Sequence, residues 1–185
     1  MTPSNVEARP GSVSAESVEE TSKRLGEPAW LTKQRLAAWS LAQALPLPTR
    51  STEGWRRTDL TGLDVDELLG QQANGRAADI KSELAESLSG VAGSLRIEDG
   101  KVVERQLNPE LEKKGVVLCS LRQALAEKPE LVEQHLGRLV TGEESKLVAL
   151  AAALWEDGLF LFVPRGVTVE RPILSRLAST SGAPS

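Results

Sequence analysis

Lys146 to Pro172 reads KLVALAAALWEDGLFLFVPRGVTVERP. An apolar helical stretch gives way to the run Leu159 to Val163, then to a Pro164-Arg165-Gly166 turn and a second β-branched segment, Val167 to Val169. Proline fixes φ and glycine tolerates positive φ, so this triplet is suited to turning the chain sharply. Glu170-Arg171-Pro172 makes another corner before Ile173 to Leu177. Three short strands split by corners are how a chain starts a solenoid or a barrel. One solenoid coil cannot bury its inner face, and about three stacked repeats are needed. The 185 residues hold roughly one coil. The expectation is therefore a longer polypeptide, truncated at Ser185, whose last strands present an unpaired, aggregation-prone edge as they stand.

Upstream, the pattern is mainly helical. Thr141-Gly142-Glu143-Glu144 reads as a capping box launching a helix over Ser145 to Trp155, with Leu147, Leu150, Ala151 and Leu154 on one face. Pro28 suits the first turn of a helix to Ala44, where Leu31, Ala38, Leu41, Ala42 and Leu45 share a face and Pro46 and Pro48 end it. Ser17-Val18-Glu19-Glu20 predicts a short capped helix toward Leu25, broken by Gly26. Thr49 to Leu63 is polar and loop-like. Asp64 to Leu69 predicts a helical turn or two, Gln71 to Arg76 a loop, and Ala77 to Leu88 a helix. Asp99-Gly100, between Leu95–Glu98 and Lys101–Arg105, is a hairpin signal because both turn residues can take positive φ. Val116 to Cys119 reads as a buried strand. Ser120 to Gln123 caps a helix to Glu127, and Pro129 opens another to Leu136, closed by Gly137. The fold class is α+β: residues 1–12 a disordered tail, 13–154 a mostly helical domain with a small hairpin section, and 155–185 the start of an incomplete stack of strands.

Composition limits the function. Apolar residues make up 40% and charged residues 26%, ordinary values for a soluble globular chain. A net charge of −4 without a clustered basic patch argues against nucleic-acid and membrane partners. A single cysteine excludes an internal disulfide and fits a reducing compartment. No apolar run approaches the ~18 residues of a membrane span, and the acidic, serine-rich start lacks a signal-peptide pattern, so the expected compartment is the cytoplasm.

No residue is assigned a catalytic, cofactor-binding or metal-binding role. Cys119 and His135 are the lone thiol and imidazole, but Cys119 ends an apolar run and His135 lies in a last helical turn, both structural settings. Together they cannot complete a zinc or iron–sulfur site, which normally takes four protein ligands. Gly137 to Gly142 has phosphate-loop spacing, yet Glu143 and Glu144 follow where lysine and a hydroxyl are needed, and carboxylates repel phosphate. Arg50, Arg56 and Arg57 around Trp55 could bind phosphate. Solvated arginines, or pairing with Asp59 and Asp64, fit the acidic chain better.

Three stretches together resemble one family. They are EGWRRTDL (Glu53 to Leu60) after the helix exit ALPLPTR, GVVLCSLRQALAEKPELVEQHLG (Gly115 to Gly137), and ALWEDGLFLFVPRGVTVERPI (Ala153 to Ile173). In order and spacing, over about Gly26 to Leu177, they are similar to the SUF-system iron–sulfur cluster assembly proteins of the SufB/SufD type, the SufD branch most closely. Departures are Ala151, where asparagine is usual, and Phe162, where tyrosine is common.

The resemblance implies that the strands begin a right-handed parallel β-helix. It also implies a non-catalytic scaffold subunit acting with SufB-like and SufC-like (ATPase) partners, mostly through later parts of the family's chain. An iron–sulfur cluster is implied for the full complex and none for this chain alone. Trp55 and Thr58 would anchor the loop after the long helix, and Pro164 and Gly166 would turn the first corner. The alternative is a small interaction module that binds a partner by strand addition at an exposed edge. A third reading, an enzyme using Cys119 and His135, lacks a third residue to orient the base.

Overall fold

Short helices and small sheets, rather than one continuous stack, make up the structure. It is a computed structural model and describes residues 13–65 and 90–178. The expected N-terminal tail, the helical turn beyond Val65, the loop Gln71 to Arg76, the helix Ala77 to Leu88 and the segment Ser179 to Ser185 lie outside the described residues. By contacts, the described residues form two units: 13–65 with 133–154, and 90–132 with 155–178. The hairpin section and the last strands thus share a unit, although the sequence order separates them.

The first unit is helical. Helix α1 (Ala15–Arg24) starts at Ser14. The Ser14 hydroxyl accepts from the Ser17 N–H at 3.2 Å, and the Ser17 hydroxyl accepts from the Ser14 N–H at 2.8 Å. Ser17 is therefore the far member of the capping box and not its start: a serine three residues earlier satisfies the first orphan donors. Gly26 ends the turn at φ +64°. Helix α2 (Ala29–Ala44) follows Pro28 and buries Leu31, Arg35, Ala38, Trp39 and Ala42, with Leu41 and Leu45 half-buried.

Thr141 to Glu144 form the expected box, the Glu144 carboxylate accepting from the Thr141 N–H at 3.3 Å, but it opens a 3-10 turn (Gly142–Glu144). A second cap, the Ser145 hydroxyl accepting from the Val148 N–H at 3.3 Å, starts the helix proper (Lys146–Leu154). That helix buries Ala149, Leu150 and Ala153, while Ala151 is exposed and Leu147 and Leu154 are half-buried. The inward face is thus turned from the expected one. Val18, Ala38, Trp39, Ala42, Ala149, Leu150 and Ala153 form one core cluster, and its four alanines let the helix backbones approach closely.

The second unit is mixed. Strands β1 (Gly93–Glu98) and β2 (Lys101–Leu107) form the expected hairpin, with Asp99 at φ +46° and Gly100 at φ +77°. An irregularity in register falls between Arg96 and Ile97. Helix α3 (Pro109–Lys113), capped by Asn108, leads to β3 (Val117–Ser120) and then α4 (Leu121–Glu127). The Ser120 hydroxyl accepts from the Gln123 N–H at 3.0 Å. The Gln123 amide donates to Glu127 instead of completing a box. Helix α5 (Pro129–His135) takes the chain back to the helical unit, whose last helix, Lys146–Leu154, is α6.

After Leu154, β4 (Leu159–Phe162) pairs antiparallel with β3, and β5 (Ile173–Ala178) pairs parallel with β1, giving a β2-β1-β5 sheet. Leu95, Ile97 and Leu118 form one core cluster, and Ala92, Leu111 and Val116 another. Val167 to Val169 does not join a ladder. It follows the Pro164 turn, in which the Val167 N–H donates to the Pro164 carbonyl at 3.1 Å. Val167 and Val169 pack onto the Ala92, Leu111 and Val116 cluster, so side-chain burial holds this segment in place of backbone pairing. The last strands are also not wholly unpaired, since β4 and β5 each carry a partner along one edge.

Candidate functional site

Four places named by the sequence were candidates for chemistry. Cys119 lies in β3 and is 4% exposed. Burial pushes its thiol above the usual range, and the charge of Glu127 adds to the effect. The thiolate is the nucleophile, so this environment keeps the sulfur in its less reactive form. His135 is exposed at the end of α5 and belongs to the other unit. Among the described residues, no group of three or more His, Cys, Asp or Glu side chains could hold a metal ion.

Gly137 takes φ +72° and closes α5; a Cβ there would clash with Nε2 of Gln34, whose amide donates to the Leu136 carbonyl. Its partner in the phosphate-loop spacing, Gly142, starts the 3-10 turn, and Glu143 and Glu144 are exposed. The glycines here shape helix ends.

The loop after α2 is a run of turns: the Thr52, Trp55 and Thr58 N–H groups donate to the Thr49, Thr52 and Trp55 carbonyls at 2.9, 3.0 and 2.9 Å. Trp55 is half-buried, whereas Thr58, expected to anchor the loop, is exposed. Asp59 is the brace instead. It accepts from the Thr61 hydroxyl and N–H and from the Arg50 guanidinium at 2.7 Å. These donors, Thr61 first, hold its carboxyl below the usual carboxylate range. Arg50 is thus paired as expected, and Arg56 and Arg57 are exposed.

Sequence reasoning missed a buried polar network in the helical unit. Arg35 is fully buried; its Nε and Nη2 donate to the two Glu27 carboxylate oxygens at 2.7 and 2.6 Å, and its Nη1 donates to the Ala153 carbonyl at 2.9 Å. Ser22 donates to the same Glu27 carboxylate at 2.9 Å and meets the Thr32 hydroxyl at 2.7 Å. Buried charges persist only when paired and hydrogen-bonded, as here. The signal was present: Arg35 stands four residues from Leu31 and three from Ala38, inside the apolar stripe. The network fastens the α1–α2 corner to the Ala153 carbonyl near the C-terminus of α6.

Exposed large apolar side chains occur in the bend after α5 (Leu139 and Val140) and, as a row, on the C-terminal strands. Along β4, Leu159, Leu161 and then Val163 are 38%, 42% and 38% exposed, alternating with half-buried Phe160 and Phe162. Leu177 of β5 is 73% exposed. The corner beyond β4 is set by Gly166 at φ +82°, and a Cβ added at Gly115 (φ +84°) would lie 3.2 Å from the Pro164 ring. An apolar strip beside strands with an edge unpaired among the described residues is suited to holding further polypeptide through backbone bonds and alternate side chains. No helix among the described residues is long and apolar enough to cross a membrane.

The family model for the SufBD protein N-terminal region matches residues 18–174. An iron–sulfur cluster assembly SufBD family protein of Mycobacterium tuberculosis is 28% identical over 172 residues, 84% of this chain and 20% of that protein. A SufBD family protein of Staphylococcus epidermidis is 27% identical over 174 residues, 84% of this chain and 36% of the relative. The iron–sulfur cluster assembly protein SufB of Bacillus subtilis is 26% identical over 176 residues, 85% and 36% of the two chains. The chain thus spans about a third or less of the length of these curated relatives.

Proposed function

This chain belongs to the SufBD family through its N-terminal region, and on that premise we propose that it is the front part of a scaffold subunit in iron–sulfur cluster assembly. The observation that carries the reading is the extent of the family match: residues 18–174 take in the long helix, the hairpin, β3, and the corner strands. In this reading β4, the Pro164–Gly166 corner and β5 begin the first coil of a right-handed parallel β-helix, and further coils cover Leu159, Leu161 and Val163. The subunit is non-catalytic and of the SufD type. It works in the cytoplasm with a SufB-like subunit and a SufC-like ATPase, and the cluster is the cargo of the complex. The SufD assignment rests on the resemblance of EGWRRTDL, after ALPLPTR, to that branch.

Affinity isolation of the tagged native protein from its own cells tests this. A distinct SufB-like chain and a SufC-like ATPase should co-purify. Recovery of the ATPase with only a second copy of this chain would reverse the SufD assignment, and recovery of neither subunit would remove the scaffold reading. A second reading, a small module that binds a partner by strand addition, draws on the same exposed strip. It expects a native product ending near Ser185.

A further inference from the structure

We draw no further inference here: the strongest candidate, the surface patch of Arg56 and Arg57 beside Trp55 on the loop after α2, carries none, since nothing in the structure shows what covers it.

Discussion

The helical unit and the mixed unit expose apolar side chains in different settings. In the helical unit, alanines of α2 and α6 meet closely, and a buried guanidinium bonds Glu27 and the Ala153 carbonyl within the unit. In the mixed unit, Leu95, Ile97 and Leu118 are as well buried as any core, yet Leu159, Leu161, Val163 and Leu177 stay exposed on the strands that follow. Exposed single apolar residues need no explanation, whereas an alternating row along a strand forms a contiguous apolar strip. The contrast is one of setting: the helical unit exposes Leu139 and Val140 in the bend after α5, whereas the mixed unit exposes a row along a strand.

The sharpest break should come in the helical unit. Arg35→Ala strands the Glu27 carboxylate in a dry site and should cost about 3–5 kcal/mol in chemical denaturation. Replacing both partners, as Arg35→Met with Glu27→Leu, should recover much of that loss, because the uncompensated charge is gone.

Next come two leucines opposite each other in the β3–β4 pair, Leu118 and Leu161. Leu118→Ala at a fully buried position should cost about 2–5 kcal/mol. Leu161→Ala should stay within about 0.5 kcal/mol in the 185-residue chain. If later coils cover Leu161 in a longer protein, the second cost should rise toward the first, and equal small effects in both settings would count against coverage.

Gly166→Val places a β-branched residue at φ +82° and should cost about 1–3 kcal/mol through backbone strain alone, since the space around a Cβ there is open. Unchanged thermal stability of a full-length protein bearing it would undo the corner assignment.

The smallest effect belongs to the loop after α2. The Asp59 carboxyl is held below its usual range in the folded chain, so its contribution is present above the ordinary carboxylate pKa of ~3.9. It is lost as pH falls through the depressed folded value. Asp59→Asn should remove that small contribution at neutral pH, leave stability at the acid end nearly unchanged, and so flatten the acid limb of a stability–pH profile below about pH 4.

What the sequence revealed follows from how local each cause is. The Asp99-Gly100 turn, the proline-bounded α2 and the cap at Ser120 are decided within a few residues and stand where the local pattern puts them, whereas the Thr141 box opens a 3-10 turn and Ser145 caps the helix. The parallel pairing of β1 with β5, Gly93 beside Ile173, joins segments far apart in the chain, and no short window holds it. Without that partner in view, Val167 to Val169 looks as much a strand as Ile173 to Leu177. The inward face of α6 depended on the alanines of α2 opposite it, which favoured Ala149 and Ala153 over Ala151 and Leu154. Among the candidate groups, Cys119 proved a buried hydrophobe, as its apolar context implied. The bracing role of Asp59 needed the loop's folded path, because its donors come from both sides in sequence.

The most direct test of the central claim is the size of the native polypeptide, read in the source cells with an antibody raised against Gly26 to Leu154. The scaffold account predicts a single product well above the 19.9 kDa of this chain, long enough to complete the coils that cover β4. A product at 19.9 kDa would contradict it, leaving the strip on Leu159, Leu161 and Val163 to a separate partner.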